Sequence, residues 1–186
     1  MSISRVNNLL IAAIVAINVF VIALPLYPAL SFWWATHVQH RQPHFASSKM
    51  NQNPVPAGER LIIPKLLLDE QVYEGPDVIT ANKGIWRYPQ ASMPDKGGNT
   101  VLIGHRFTYL GPAVFYHLDL LSPGDPITIF WNGRKYSYVV SQIKVIKPSD
   151  TSIFWPTNDS RLTLYTCTPI WSTKNRLVVI AERTNQ

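Results

Sequence analysis

Leu162-Thr163-Leu164-Tyr165-Thr166-Cys167-Thr168-Pro169, followed by Arg176-Leu177-Val178-Val179, decides how this chain is read. Both runs are rich in strand formers. They predict two strands, Arg161–Thr166 and Arg176–Glu182. The eight residues Thr168 to Asn175 join Cys167 to Arg176, so antiparallel pairing brings Arg176 beside Cys167. Cys167 is the only cysteine in the chain, which excludes an intramolecular disulfide. It is therefore either a small buried hydrophobe or a nucleophile.

A second strand-like run, Asn99-Thr-Val-Leu-Ile-Gly-His-Arg106, ends on a histidine, His105. A thiol attacks only as thiolate, and a free cysteine is only slightly ionised at neutral pH, so a reactive one needs a base or cation close by. His105 supplies the imidazole. Attack on an amide carbonyl builds an oxyanion, and Arg176 offers a fixed positive charge with several donors. Each residue also has an ordinary explanation: a core thiol, a turn histidine, a surface arginine. All three at strand ends make up a thiol acyl-transfer site.

The rest of the chain frames that site. Its 186 residues hold one domain plus appendages, and the 46% hydrophobic content supports a core. Fifteen prolines and plentiful strand formers predict an all-β, β-dominated domain. The net charge of +6 comes from singly scattered lysines and arginines, which argues against nucleic-acid binding. Leu9 to Leu30 is almost wholly apolar, and no Lys, Arg, Asp or Glu occurs between Arg5 and Arg41. As a helix this run reaches roughly 33 Å, enough for the ~30 Å hydrocarbon core. Trp33 and Trp34 stand where an interfacial aromatic belt belongs. A cleaved secretion signal with a small-residue site at Ala29-Leu30-Ser31 is the rival reading. The length of the run and the bulky Phe32-Trp33-Trp34 behind it favour an uncleaved anchor.

The expected organisation is a cytoplasmic N-terminus at 1–8, a transmembrane helix at 9–35, an extracytoplasmic linker at 36–58 and a domain at 59–186. Arg5 orients the anchor with its N-terminus inside, although Arg41 and Lys49 weaken the charge contrast. His37, His40 and His44 read as solvated linker residues, since no Cys or acidic residue accompanies them. No metal and no cofactor is expected. Within the domain, Arg60–Ile63, Leu66–Tyr73 and Asn99–Gly104 are expected strands. Ile127–Trp131 and Lys135–Val145 flank Asn132-Gly133 as a hairpin. Residues 76–98 are expected as loop with at most a short helix. Pro112–Leu121 is expected as a short helix with Phe115, Leu118 and Leu121 on one side. His117, on that helix, is expected to be structural. Short strands with long connections and no βαβ rhythm predict a closed or nearly closed barrel.

Thr163-Leu-Tyr-Thr-Cys167 with Pro169 and the spaced Arg176 resembles the TLxTC…R signature of the sortases. Val101-Leu-Ile-Gly-His105-Arg106 resembles that family's histidine strand. Leu61-Ile-Ile-Pro-Lys65, Gly97-Gly-Asn99 and Leu118-Asp-Leu-Leu-Ser-Pro-Gly-Asp125 also resemble family patterns, so the likeness covers roughly residues 59–183. The resemblance implies a membrane-anchored cysteine transpeptidase with a closed eight-stranded barrel and short helices in its connections. Such an enzyme cleaves an LPxTG-like signal on surface proteins between Thr and Gly, holds the acyl group as a thioester, and passes it to an amine of the cell envelope or a pilin. By resemblance Cys167 is the nucleophile, and His105 is the acid or base serving the glycine amine. Arg176 stabilises the oxyanion and helps hold the signal, and Thr166 lines the groove. Trp86, Trp155 and Trp171 fall in or near expected loops, and Trp171 is read as a substrate-binding residue.

Departures from the family narrow the type. No acidic cluster resembles the calcium site of some class A enzymes. The eleven residues Asp150 to Ser160 are too few for the helical insertion of class B. No lid anchor of the pilin-polymerising class C is evident. A class D/E-like or other short housekeeping type remains. The alternatives are an L,D-transpeptidase-like thiol enzyme, whose cysteine has a different sequence context, and a non-catalytic membrane-tethered barrel that binds envelope polymers.

Overall fold

The computed structural model describes residues 3–37, 58–109 and 111–184. Most of the expected linker, with His40 and His44, lies outside the described residues. The chain divides into two compact units, an N-terminal helix and a β domain.

The helix α1 (Ile3–His37) runs through the whole apolar stretch, and the window Asn7–Leu24 has a mean hydropathy of 2.3. By length and composition it is able to cross a membrane. Its polar side chains bond back to the helix itself. Asn18 Nδ2 donates to Ile14 O at 2.8 Å, and the Thr36 hydroxyl donates to Phe32 O at 2.9 Å. A segment surrounded by hydrocarbon has to satisfy its polar groups internally in this way.

The domain begins with β1 (Arg60–Ile63), β2 (Leu68–Tyr73), β3 (Ile85–Arg87) and β4 (Asn99–Ile103). Two short strands follow, β5 (Phe107–Thr108) and β6 (Gly111–Pro112). Then come β7 (Pro126–Trp131), β8 (Arg134–Ile146), β9 (Arg161–Thr168) and β10 (Asn175–Arg183). Eight of these close a barrel in the order β1-β2-β3-β4-β9-β10-β8-β7, and β7 returns to β1. The pairs β2–β3 and β4–β9 are parallel, and the others are antiparallel. The strands alternate, as a pleated surface with one buried face requires. On β9, Leu162 and Leu164 are fully buried in the main core, with Leu177 and Val179 of β10. Their outward neighbours form a second, smaller cluster. Val178 and Ile180 lie under Ile153, packed with Phe154, Ile146 and Tyr165. The short 3-10 helix Ser152–Phe154 therefore roofs part of the outer face of β9 and β10.

The hairpin turns on Asn132 (φ 49°) and Gly133 (φ 69°), the left-handed pair that a two-residue type I′ turn demands. Two expectations need correction. Pro112–Leu121 is not a helix. Pro112 ends β6, and Ala113 N and Phe115 N donate to Arg106 O and His105 O, so the next chain is tied to the histidine segment. Residues 114–117 form turns, closed by Tyr116 N donating to Ala113 O and Leu118 N to Phe115 O, and only Leu118–Leu120 is helical, as 3-10 helix. Phe115 and Leu118 are nonetheless fully buried, because tertiary bonds rather than helical period place them. The second correction is β3, inside an expected loop. Its three residues are too few to show a period, yet all are buried.

The strands from Arg60 to Arg183 carry their own core and their own closed ladder. Deleting residues 1–50 is expected to leave a soluble domain with a cooperative melt. Gel filtration and circular dichroism check this, and an aggregated or non-cooperative product contradicts it.

Candidate functional site

Strand register assembles the site. β4 runs parallel to β9 with Ile103 opposite Tyr165. Beyond that pair, Gly104 N donates to Tyr165 O at 3.2 Å, and the Thr166 hydroxyl donates to Gly104 O at 2.7 Å. These bonds carry the pairing past the end of β4 and bring His105 level with Cys167. On the other side of β9, Cys167 pairs directly with Arg176 of β10. Directly opposed residues on paired strands face the same side with Cβ atoms about 5 Å apart. His105, Cys167 and Arg176 thus form a row across three adjacent strands, on the outer face that Tyr165 shares.

Local contacts hold each member. His105 is half-buried, with Nε2 at 3.0 Å from Asn82 Oδ1 on the 3-10 helix Val78–Lys83. Arg176 Nη1 donates to Thr173 O at 2.7 Å and to Asn175 O at 3.0 Å, so the turn carbonyls pin the guanidinium. The same guanidinium lies 5.8 Å over the Tyr165 ring. Burial pushes the Tyr165 phenol above its ordinary range, and Arg176 pulls in the other direction. Tyr165 therefore stays a neutral phenol at physiological pH. Cys167 is a free, half-buried thiol. Gly104 leaves room beside the row: a Cβ there would meet the Phe115 ring at 2.7 Å.

The structure separates the other expected site residues. Thr166 is 2% exposed and turns inward to Gly104 O. It supports the row from beneath and does not open to a groove. Trp171 is 72% exposed, and its ring lies on Phe107 with centroids 3.4 Å apart. The β9–β10 loop thereby folds over the segment that follows His105. Trp155 is exposed, whereas Trp86 is buried in β3, with Nε1 donating to Gly75 O at 3.0 Å. Trp86 is part of the wall and not a rim. Sequence reasoning passed over Asn82 and Tyr165. Tyr165 was accessible through period two, standing two residues before Cys167 on one strand face. Asn82 left no signal, because its helix lies in a stretch of Pro and Gly.

Beyond His105 opens a cleft of about 470 Å³ bordered by Leu66, Lys83, Thr108, Tyr116 and His117. Among the described residues, no three of His, Cys, Asp and Glu converge as a metal site.

A thiol, an imidazole and a guanidinium in register on three neighbouring strands of a closed eight-stranded barrel define a class of protein. The model of the Sortase domain matches residues 61–184, and the chain belongs to the sortase family. It is similar to Sortase D of Bacillus subtilis (strain 168), 29% identical over 127 residues, with 66% of this chain and 62% of that protein covered. It is also similar to Sortase SrtE1 of Streptomyces coelicolor (strain ATCC BAA-471), 30% identical over 186 residues, with 83% of this chain and 51% of that protein covered. The chain thus spans less than two thirds of the length of both relatives. Among solved structures it resembles a Clostridium perfringens Sortase D5 transpeptidase, with a TM-score of 0.62 and 28% identity, covering 68% of this chain and 78% of that one.

His117 borders the cleft, and its surroundings predict an acid-sensitive contribution to stability. Burial lowers its pKa, Asp119 opposes the shift, and Arg106 reinforces it. The folded state favours the neutral ring, so the unfolded state binds the proton more readily. Its contribution to stability is complete above the ordinary histidine pKa and fades as pH falls below it. His117→Gln should lose less melting temperature than wild type between pH 7 and pH 5. Equal losses in the two proteins contradict the assignment.

Proposed function

We propose that this chain is a membrane-anchored cysteine transpeptidase that acts on an LPxTG-like sorting signal of surface proteins. The observation that carries the reading is the register row: Cys167 directly opposite Arg176, with His105 level on the other neighbour. In this mechanism the Cys167 thiolate attacks the carbonyl carbon of the signal's threonine. The carbonyl oxygen becomes an oxyanion, and Arg176 meets it with the N–H groups that Thr173 O and Asn175 O leave free. The C–N bond to glycine breaks as protonated His105 gives its proton to the departing amine. A thioester to Cys167 remains. An incoming amine attacks that thioester, His105 takes its proton, and the thiolate is released as the new amide forms. The thioester stores the acyl group between donor and acceptor, which makes the reaction a transfer.

Trp171 is assigned to signal binding on its exposure beside the row, and Thr166 to support of the groove floor. The apolar helix α1 and Arg5 support a single-pass protein of the cell membrane with residues 1–8 in the cytoplasm and the domain outside. The acceptor is an amine of the cell envelope or a pilin. The likeness to Sortase D and Sortase SrtE1 supports a class D/E-like type. The mechanism uses no metal or cofactor.

Cys167→Ala should abolish both cleavage of a fluorogenic Leu-Pro-x-Thr-Gly peptide and transfer to an amine, because the chain has no second thiol. Cys167→Ser should be nearly as inactive, since an alkoxide is much harder to form than a thiolate. Wild-type turnover by either variant contradicts the reading. An inert wild-type thiol favours a binding barrel.

Arg176→Lys keeps the charge and loses the rigid fork. If the guanidinium serves the transition state, acylation should slow by roughly 100- to 1,000-fold, about 3–4 kcal/mol. KM should change little, and the melting temperature should hold. A loss confined to KM would reassign Arg176 to substrate binding. Unfolding would make it structural.

A further inference from the structure

Arg106 follows His105 directly, and its guanidinium is buried, at 4% exposure. Its Nη2 pairs with Asp119 Oδ2 at 2.6 Å. Its Nε donates to Tyr116 O at 3.3 Å. Its Nη1 donates to Thr168 Oγ1 at 2.8 Å, and Thr168 follows Cys167 directly. On β9, alternation turns Cys167 outward and residues 166 and 168 inward; past the end of β4, Gly104 and Arg106 are buried while His105 is half-buried. Two inward links therefore bracket His105 and Cys167. On one side Thr166 bonds Gly104 O, and on the other Arg106 bonds Thr168.

Asp119 is enough to neutralise the buried cation, so charge balance alone does not call for the arm to Thr168. That arm reaches the strand that carries the thiol. The opposite arms hold the guanidinium to the 116–119 turn, whose chain is in turn tied to His105 through the bond from Phe115 N to His105 O. A charged, planar fork that donates to acceptors on both sides gives a stiff link. Slack here would let the end of β9 swing and change the line between Sγ and the imidazole. Thiol chemistry depends steeply on that line.

We propose that Arg106 is a positioning residue. Through Thr168, and anchored by Asp119, it fixes the direction of Cys167 relative to His105. The proposal rests on the reading of Cys167 and His105 given above. It assigns Arg106 no contact with substrate.

The test uses full-length protein in detergent micelles, with Thr168→Val, Thr168→Ser, Arg106→Gln and the double variant Arg106→Gln/Thr168→Val. Valine keeps the branched shape and removes the acceptor oxygen; serine keeps the oxygen. Thr168→Val should lower kcat on the order of 10- to 100-fold with KM and melting temperature unchanged. Thr168→Ser should restore wild-type kcat. The double variant should be no worse than Arg106→Gln alone, because both break one link. Full activity in Thr168→Val, serine as impaired as valine, a loss matched by a fall in melting temperature, or additive losses would each overturn the proposal. Alkylation of Cys167 by iodoacetamide needs no sorting signal. If wild type cleaves no signal peptide, the functional reading fails. The positioning claim is then decided by the alkylation rate, which should fall severalfold in Thr168→Val and recover in Thr168→Ser. An unchanged rate overturns it.

Discussion

The placement of β9 between β4 and β10 is the constraint on which the site depends. A strand has period two, so a slip of one residue turns every side chain to the opposite face. In the observed register, Leu162 and Leu164 enter the core while Tyr165 and Cys167 face out. A one-residue slip would expose the leucines and bury the thiol. The hydrophobic core thus enforces the side of β9 on which Cys167 stands, and with it the pairing of Cys167 with Arg176.

Polar groups refine what the register establishes. The site lies where regular ladders end, so its backbone is completed by side chains. Thr166 caps Gly104 O, turn carbonyls hold Arg176, and Arg106 reaches Thr168. The missing Cβ of Gly104 lets Phe115 pack directly beneath His105. On the outer face, Phe154 and Tyr165 prolong the floor away from Cys167, with ring centroids 5.3 Å apart. A rigid barrel thereby presents its chemistry on strand ends and leaves variation to the loops, the usual division in folds that carry function. The exposed Trp171 is part of such a loop, and its contact with Phe107 couples that loop to the histidine segment.

Much of this was legible in the sequence because it depends on local pattern. Period two exposed β9 and β10, Asn132-Gly133 announced the hairpin, and an unbroken apolar run announced α1. The thiol, imidazole and arginine were legible as residue types at strand ends, and their row followed from pairing. Most of the failures originate in contacts between segments, and one in strand parity. Pro112–Leu121 has helical spacing, yet bonds from its backbone to residues 105 and 106 tie its start to the histidine segment, and turns take the place of a regular helix. The strand β3 exists because β2 and β4 pair with it, not because Ile85-Trp86-Arg87 shows a pattern. Thr166 was expected at the groove, but alternation turns it inward. Asn82 meets His105 across 23 positions of sequence, a contact that no local signal carries.

The claim at the centre of this account is that the row at the barrel mouth forms a thioester on Cys167. Mass spectrometry of the full-length protein, mixed with a Leu-Pro-x-Thr-Gly peptide and no acceptor amine, tests it most directly. The account predicts an adduct equal to the peptide acyl fragment that ends in threonine. It should map to the fragment containing Cys167, and adding an amine should discharge it as the amide. Cleavage with no adduct at Cys167, or an adduct at another residue, would contradict it.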